Sequence, residues 1–336
     1  DPSGLVINAG SGAVDLGAST AGAYTVTYRI AAAGGCGTVT ATTGITITTQ
    51  PTASISYNGS PYCSNEGTAT VSLIGTSGGI YSAPGGLNIS ATTGDVDLAA
   101  STAGTYTVTY TIAAAGGCGT VTATTSITIT TLPAATISYA GDPYCANEGT
   151  ASVTFSGTTG GVYSAAPTGL VINSGTGAVD LAASTPGSYT VTYTIAASGG
   201  CDAVTATASI NISAVPTASA GGSETICETE SATVTGASAS NGNILWSHNG
   251  NGTLTDETTT SPTYTPGAGD AGTTVTLTLT VSNSPCPDAT ATFDVIIKAT
   301  PTASAGGSSA ICQSGSVTVS GASASNGSIL WTHDGT

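Results

Sequence analysis

The segment 105–112 alternates strictly between polar and apolar side chains. Threonine occupies every odd position, and the even positions hold Tyr106, Val108, Tyr110 and Ile112. A period of two residues with one apolar face is typical of a half-buried β-strand. A second run follows the Gly116-Gly117 pair, and its apolar positions are Val121, Ala123, Ile127 and Ile129. The two runs together predict a β-hairpin that turns at the paired glycines.

Shorter β-type runs precede this hairpin, at 68–75, 79–84, 87–90 and 95–100, and turns rich in Gly, Ser and Pro separate them. No stretch of useful length has the apolar period of an amphipathic helix. About seven short strands in about 83 residues is the strand content of an immunoglobulin-like sandwich. The predicted fold class is therefore all-β, with tandem immunoglobulin-like β-sandwich domains in an extended linear array.

The pattern is repeated along the chain. Residues 21–50, 103–132 and 186–215 are near copies of one another, and new units begin at Pro51, Pro133, Pro216 and Pro301, at spacings of 82, 83 and 85 residues. Such a period fits a small sandwich domain and is too long for a solenoid unit. The predicted units are 1–50, 51–132, 133–215, 216–300 and 301–336, called repeats A to E below.

Two subtypes are present, the first in repeats A to C and the second in repeats D and E. The run at 54–73 recurs at 136–155, whereas the run at 216–246 recurs at 301–331. Repeat A matches only the C-terminal part of the first subtype, and repeat E only the N-terminal part of the second. We expect this sequence to be a segment of a longer tandem array. The alternative is that the two partial units complement each other between chains.

In the second subtype, Trp246 and Trp331 fall at the position of a third strand. We expect both to be core residues, since ligand-stacking is the rarer role for a Trp there. His248 and His333 follow two residues later and are predicted to be exposed turn residues.

Charge narrows the possible partners. The 336 residues carry a net charge of −16, and Arg29 and Lys298 are the only two basic residues. Nucleic-acid binding is excluded because it requires Lys and Arg to neutralise phosphates. An anionic membrane surface would repel the chain, and no run of 18 apolar residues is present to insert into a bilayer.

Eight cysteines occupy two fixed places in the repeats. One place follows the first strand, at Cys63, Cys145, Cys227 and Cys312; the other is the hairpin tip, at Cys36, Cys118, Cys201 and Cys286. Zinc binding is disfavoured, since no Cys-x-x-Cys occurs and the chain has two histidines. Regular cysteine pairs without a metal motif indicate disulfides and an oxidising, extracellular location.

The cysteine pairing stays open at this point. Pairing within a domain would give Cys63–Cys118, Cys145–Cys201 and Cys227–Cys286. In an immunoglobulin-like topology, however, the two places lie at opposite ends of the sandwich, about 25–35 Å apart, whereas bridged Cα atoms lie within about 7 Å. This favours inter-domain bonds, Cys63–Cys201 and Cys145–Cys286, with the other cysteines pairing outside the window or in another copy.

The sequence carries no catalytic constellation: no P-loop, HExxH or Ser-His-Asp pattern is found, so we expect no enzyme and no organic cofactor. Asp15, Asp97 and Asp180 recur in Gly-x-Val-Asp-Leu and are predicted to cap turns. The oxygen ligands that Ca²⁺ prefers are sparse. The candidates at domain joints are Glu66, Glu148 and Asp202, with Glu228 and Glu230 beside them.

Residues 216–246 and 301–331, with the shared pattern P-x-A-x-A-G-G-x-x-x-I-C…G-A-x-A-S-N-G-x-I-L-W, resemble PKD-like repeats of giant Bacteroidota surface proteins. Residues 160–196 resemble immunoglobulin-like repeats of the same proteins, of which SprB-type gliding-motility adhesins are the best-known relatives. By this resemblance, 51–132 and 133–215 are immunoglobulin-like domains and 216–300 is a PKD-like domain. Residues 1–50 and 301–336 are partial domains of the two kinds. The resemblance implies type IX secretion, extracellular filaments and attachment to surfaces or polysaccharide.

Two functions follow as hypotheses. One is a disulfide-stiffened structural region of an extracellular filament or adhesin stalk, whose partners are neighbouring repeats or identical chains. The other is an adhesive module that binds carbohydrate or a surface through its loops. The near-identity of loops between repeats favours the structural role.

Overall fold

The computed structural model describes residues 3–335, which form two compact units. One unit runs to Ala134 and includes Gly157–Thr159 and Ile195–Val204; the other holds Ala135–Ser156, Gly160–Thr194 and the chain from Thr205 onward. Every regular element in the described residues is a β-strand. None of these residues forms a helix that could cross a membrane.

The strands recur in the same order from repeat to repeat. Repeat A has β1 (Gly22–Ile30) and β2 (Val39–Ile47). Repeat B has β3 (Ala53–Ser56), β4 (Tyr62–Cys63), β5 (Thr68–Ala69), β6 (Ser72–Gly75), β7 (Ile80–Ser82), β8 (Asn88–Ile89), β9 (Val96–Asp97), β10 (Gly104–Ile112) and β11 (Val121–Thr130). Repeat C has β12 (Ala135–Tyr139), β13 (Tyr144–Cys145), β14 (Thr150–Ala151), β15 (Val153–Gly157), β16 (Val162–Ala166), β17 (Val171–Ile172), β18 (Val179–Asp180), β19 (Gly187–Ile195) and β20 (Val204–Ser213). Repeat D has β21 (Thr217–Ser219), β22 (Ser223–Cys227), β23 (Ala232–Thr233), β24 (Ser238–Ser240), β25 (Asn243–His248), β26 (Thr253–Thr255), β27 (Thr263–Thr265), β28 (Thr274–Asn283) and β29 (Cys286–Lys298). Repeat E has β30 (Thr302–Ser304) and β31 (Ser323–Ser325).

Repeats B, C and D each contain the same three sheets. In repeat B the four-stranded sheet has the order β4-β11-β10-β7, the three-stranded sheet has the order β5-β9-β8, and β3 pairs with β6. Repeats C and D reproduce this order strand for strand. Two sheets of three and four strands facing one core form the immunoglobulin-like sandwich, so the predicted all-β class with tandem immunoglobulin-like domains is confirmed.

The long hairpin of each repeat folds as its alternation predicts. In repeat B, β10 pairs with β11 from Gly104↔Ile129 to Ile112↔Val121. Ala115 and Cys118 close the turn as a bridge, and the two glycines between them have φ values of +59° and +84°. A two-residue turn of this kind needs positive φ at both central positions, which Gly adopts without strain.

The apolar face of this hairpin lies in the core of repeat B. Val108, Tyr110, Ile127 and Ile129 are buried, and the Tyr110 ring packs 4.6 Å from that of Tyr81. The Tyr110 hydroxyl accepts a hydrogen bond from Gly79 N at 2.8 Å and donates one to the Thr76 carbonyl. A buried Tyr needs such partners for its hydroxyl. The upstream strands are shorter than predicted: the run at 68–75 is interrupted at Thr70 and Val71, and only Val96–Asp97 of the run at 95–100 forms a strand.

A tyrosine at the start of the long hairpin anchors the preceding turn. Tyr24, Tyr106 and Tyr189 each donate a hydrogen bond from the hydroxyl to the carbonyl four residues upstream, at 2.6–2.8 Å. This contact is the tyrosine corner of immunoglobulin-like sandwiches. This contact was not predicted, although the recurrent S-T-x-G-x-Y run carries the signal for it.

The core of repeat D confirms one Trp prediction, and repeat E corrects the other. Trp246 lies in β25, is 2% exposed, and donates from Nε1 to the Thr259 carbonyl at 3.0 Å. Its counterpart Trp331 is 58% exposed and lies in no strand. Trp246 belongs to the core cluster of repeat D, to which the hairpin β28–β29 contributes Leu277, Leu279 and Phe293, and no such hairpin follows Trp331 among the described residues.

His248 also departs from its prediction. It ends β25 rather than lying in an exposed turn, and its ring packs 5.1 Å from that of Tyr264. Its Nδ1 atom is buried and has no hydrogen-bond partner. His333 is exposed, as predicted.

Candidate functional site: the cysteine joints

Cys63 and Cys201 form a disulfide across 138 residues, and their Cα atoms are 4.6 Å apart. Both cysteines are buried. The bond joins the first-strand cysteine of repeat B to the hairpin-tip cysteine of repeat C. It does not join Cys63 to Cys118, because those two residues flank β11 at its opposite ends, and a ten-residue strand spans about 33 Å.

The end of β11 positions Cys63. The short strand β4 runs parallel to β11 and places Cys63 opposite Thr130. The turn that follows is closed by Glu66, whose Oε2 accepts a hydrogen bond from Cys63 N at 3.3 Å. Glu66 N in turn donates to the Cys63 carbonyl at 3.1 Å. The cysteine is therefore held by a strand on one side and a capped turn on the other.

The hairpin tip positions Cys201. Cys201 and Ser198 exchange two backbone hydrogen bonds of 2.9 and 3.0 Å around the Gly199-Gly200 turn. The Cys201 Sγ atom lies 3.8 Å from the Thr130 carbonyl oxygen and 3.7 Å from that of Thr131. The hairpin tip of repeat C thus docks on the end of β11, where Thr130 lies opposite Cys63.

The approach of the two segments is close at Gly200. A Cβ atom at this position would lie 2.2 Å from the Pro61 carbonyl oxygen, well inside van der Waals contact, and the backbone there has a φ of +84°. Only glycine fits both the conformation and the space.

Cys145 and Cys286 form a second joint of the same design, with Cα atoms 4.9 Å apart. Cys145 ends β13 opposite Ser213, and the Cys286 Sγ atom lies 3.5 Å from the Ser213 carbonyl oxygen. Asn283, on the hairpin of repeat D, donates from Nδ2 to the Ala214 carbonyl at 2.8 Å. The joint therefore combines a covalent bond with backbone contacts to the end of the preceding repeat.

The hairpin tip of repeat B docks in the same way on repeat A, without a disulfide. Thr48 donates from Oγ1 to the Gly116 carbonyl at 2.6 Å, and Thr48 Oγ1 also lies 3.3 Å from Cys118 Sγ. Thr48 aligns with Thr130, so the tip of repeat B occupies the position that Cys201 occupies one repeat later. Cys36, Cys118, Cys227 and Cys312 carry free thiols.

In repeat D, the first-strand cysteine Cys227 is held in the same way as Cys63 in repeat B. Cys227 ends β22 opposite Lys298 at the end of β29, and Glu230 accepts from Cys227 N at 3.2 Å as Glu66 does in repeat B. Glu228 accepts hydrogen bonds from the hydroxyl and the amide of Thr300, and these bonds lower the pKa of Glu228.

The calcium candidates have structural contacts instead of a shared site. Glu66 and Glu148 each accept from the backbone of the cysteine three residues earlier, and Asp202 follows Cys201 at a hairpin tip. No three His, Cys, Asp or Glu residues within residues 3–335 gather closely enough to hold one metal ion. The Cys-x-x-Glu spacing, which recurs at 63–66, 145–148 and 227–230, was the available signal for the capping role.

The recurrent aspartates cap turns, as the sequence predicts. Asp97 Oδ1 accepts from Ala100 N and Asp180 Oδ1 from Ala183 N, both at 3.0 Å. Asp15 accepts from Gly17 N and Ala18 N. These three carboxylates accept hydrogen bonds from backbone N–H groups, and none is paired with a histidine or a nucleophile.

Asp270 is the one buried acidic side chain of the described residues. It accepts hydrogen bonds from Asn251 N at 2.9 Å, Tyr264 Oη at 2.7 Å and Gly267 N at 2.7 Å. Burial raises the pKa of Asp270, but these hydrogen bonds outweigh it and lower the pKa from 3.8 to about 2. Burial raises the pKa of Tyr264 to about 12, and its hydrogen bond to Asp270 adds to that shift. The pair therefore stays as carboxylate and neutral phenol, and it fixes the 251–270 loops.

Asp270→Asn is expected to destabilise repeat D by about 2–3 kcal/mol, because it removes a charged acceptor from buried donors. The folded pKa lies below the unfolded one, so the carboxylate stabilises the fold above about pH 4 and this stabilisation is lost as the pH falls through about 2. Urea unfolding at pH 7 and pH 2.5 should thus show a gap between wild type and variant that narrows in acid. Asp288→Asn, at an exposed position of β29, is the matched control and should show no gap at pH 7. An equal gap at both pH values would contradict this role for Asp270.

No protein-family model matches the chain, and no curated protein matches it in sequence. Solved structures that are similar to it include titin immunoglobulin domains I67–I69 in an E-to-A variant, with a TM-score of 0.39 and 11% identity over 70% of this chain and 92% of that one. Sidekick-1 immunoglobulin domains 1–4 have a TM-score of 0.34 and 12% identity over 75% and 72% of the two chains. Drosophila N-cadherin EC1–4 has a TM-score of 0.30 and 12% identity over 89% and 90%. At these values the similarity does not extend to function.

Proposed function

We propose that this chain is a structural repeat region of an extracellular filament or cell-surface adhesin stalk, in which disulfides stiffen successive repeats. Repeats B, C and D are its proposed domains, and neighbouring repeats or identical chains are its proposed partners. No catalytic or cofactor role belongs to this proposal.

The overlap of the two disulfides is the observation that carries the proposal. Cys145 lies inside the loop closed by Cys63–Cys201, and Cys201 lies inside the loop closed by Cys145–Cys286. A tensile load can therefore pass from Cys63 to Cys201, back along the chain to Cys145, and across to Cys286. The covalent path between Cys63 and Cys286 falls from 223 residues to 56.

The composition supports the same role. Disulfides persist in oxidising, extracellular locations. Only 6% of the residues are charged, and threonine takes many of the polar positions on the strands. In repeat B, for example, Thr105 and Thr128 lie opposite each other on β10 and β11 and hydrogen-bond at 3.0 Å. Threonine keeps a high β-propensity while its hydroxyl stays hydrated.

The adhesive alternative, a module that binds polysaccharide, receives less support. Of the two tryptophans, the side chains best suited to stack on a sugar ring, Trp246 is buried and donates a hydrogen bond to the Thr259 carbonyl, whereas Trp331 is exposed. The joints, by contrast, recur with the same contacts.

Single-molecule pulling of the 336-residue chain by its ends tests the proposed function. The oxidised chain should reach a full length shorter than the reduced chain by about 570 Å, since the path shortens by 167 residues of about 3.4 Å each. The variant Cys145→Ala with Cys286→Ala is the control, because it leaves a path of 85 residues and should extend about 100 Å further than the oxidised wild type. Equal lengths for the oxidised and reduced chains would overturn the proposed role of the disulfides in carrying tensile load.

A further inference from the structure

Each disulfide has a carboxylate fixed beside its first-strand cysteine. Glu66 Oε2 accepts a hydrogen bond from Cys63 N at 3.3 Å, and Glu148 Oε2 accepts one from Cys145 N at 3.2 Å. The sulfur atom of a cysteine belongs to the same residue as this amide nitrogen. Each hydrogen bond therefore holds a negative charge close to one sulfur of a disulfide.

The hairpin-tip cysteine of each disulfide also has an acidic neighbour in the sequence. Asp202 follows Cys201 directly, and Asp288 lies two residues after Cys286. Both aspartates are exposed. Each of the two joints thus combines a glutamate on one side of the S–S bond with an aspartate on the other.

The two basic side chains of the protein lie elsewhere. Arg29 belongs to β1, and Lys298 ends β29, at the opposite end of that strand from Cys286. All four bonded cysteines are buried, and salt screens the interactions of buried groups less than those of exposed ones. The negative charge at each disulfide is therefore not offset by a cation and is only partly screened.

The glutamate hydrogen bond forms whether or not the cysteine is in a disulfide. Cys227 carries a free thiol, and Cys227 N still donates to Glu230 Oε2 at 3.2 Å. The hydrogen bond therefore contributes equally to the oxidised and the reduced joint. The charge of the glutamate acts instead on the reaction between these two states, because thiol–disulfide exchange proceeds through thiolates.

Reduction of a disulfide by a small thiol builds up negative charge at the sulfur atoms. The reagent thiolate attacks one protein sulfur and bonds to it, the S–S bond breaks, and the other cysteine leaves as a thiolate. A second reagent thiolate then displaces the protein from this mixed disulfide. Two reagent thiols thereby become one small disulfide, and two electrons and two protons pass to the protein as two cysteine thiols.

We propose that Glu66 and Glu148 protect the two joints against reduction by thiols, and above all by anionic thiols such as glutathione. Each carboxylate repels the incoming thiolate and opposes the charge that develops on the leaving cysteine. The inference rests on the proposed structural function, because a stalk stiffened by disulfides must keep them in the presence of thiols. It gives the recurrent Cys-x-x-Glu spacing a role beyond the turn that it caps.

The test measures how fast small thiols of different charge reduce the oxidised 336-residue chain at pH 7. The reagents are mercaptopropionate, mercaptoethanol and cysteamine, which are anionic, neutral and cationic apart from their thiol groups. Acid quenching, alkylation and peptic peptide mapping give a rate constant for each disulfide, expressed per reagent thiolate. Mercaptopropionate should be the slowest and cysteamine the fastest, and the spread should narrow as the ionic strength rises.

Glu66→Gln removes the charge and keeps an oxygen that can accept from Cys63 N. It should speed the reduction of Cys63–Cys201 about tenfold with mercaptopropionate and about threefold with mercaptoethanol, and leave the rate with cysteamine unchanged. The Cys145–Cys286 bond of the same molecules is the internal control and should keep its wild-type rates. Glu148→Gln should show the reverse pattern, with Cys63–Cys201 as the control.

Glu66→Ala separates the charge from the cap, because it removes both. If Glu66→Gln kept the wild-type rates and only Glu66→Ala were faster, the glutamate would act as a turn cap alone, and the proposal would be overturned. Equal acceleration with all three thiols would indicate a loosened joint and would overturn it as well. These rates are measured without force, so a failure here would count against the charge effect, whereas a failure of the pulling experiment would count against the stalk.

Discussion

Replacing Cys63 and Cys201 together by alanine is expected to lower the free energy of unfolding of the unit that contains them by about 5 kcal/mol. The bond closes a loop of 138 residues, and a loop of this length removes that much conformational entropy from the unfolded chain in the chain-entropy account. Both cysteines are buried, and the Cys201 Sγ atom lies 3.8 Å from the Thr130 carbonyl oxygen, so the variant also loses packing. Guanidinium unfolding of the oxidised wild type and the double variant measures the difference.

Cys36→Ala is the control for this experiment. Cys36 is exposed and unpaired, so its replacement should change the free energy of unfolding by no more than about 0.5 kcal/mol. If the double variant were no less stable than the Cys36→Ala control, the disulfide would not stabilise the unit. Reduction of the wild type should lower the free energy of unfolding by at least as much as the double variant does, because it also breaks Cys145–Cys286.

The alternation of side chains was sufficient to predict the hairpins and their buried faces. Residues 105–112 and the run from Val121 both alternate with a period of two. A shift of the strand pairing by one residue would turn the apolar face to solvent, so only one register buries both Tyr110 and Ile127 in the core. The shorter strands were less predictable, because two-residue elements such as β5 and β9 are defined by their neighbours rather than by their own pattern. Trp331 shows the same dependence, since the tryptophan of the same Ile-Leu-Trp sequence is buried in repeat D and exposed in repeat E.

The joints depend on contacts that no local pattern encodes. Cysteine spacing marks the two places in each repeat, but the docking of a hairpin tip on Thr130 or Ser213 brings together residues about 70 positions apart. The conformation of the tip could be foreseen from its paired glycines. The need for glycine at position 200 could not, because it arises from the Pro61 carbonyl of another repeat.

Gly200→Ala is expected to cost about 3 kcal/mol or more, whereas Gly117→Ala should cost about 1 kcal/mol. The two glycines share a φ of +84°, so the conformational strain of an added Cβ is equal at both positions. Only at Gly200 does the new atom meet a backbone carbonyl, that of Pro61, at 2.2 Å. The difference between the two variants therefore measures how firmly the hairpin tip of repeat C is held against repeat B.

Urea unfolding of both variants under reducing conditions compares their free energies of unfolding when no disulfide is present. A second readout is the rate at which the Cys63–Cys201 bond forms in a glutathione buffer, which should fall in Gly200→Ala and stay unchanged in Gly117→Ala. Equal destabilisation would mean that the tip moves freely enough to accommodate a methyl group, and the joint would then depend on its disulfide alone. Unequal destabilisation places the rigidity of the joint in backbone packing, which the disulfide then secures.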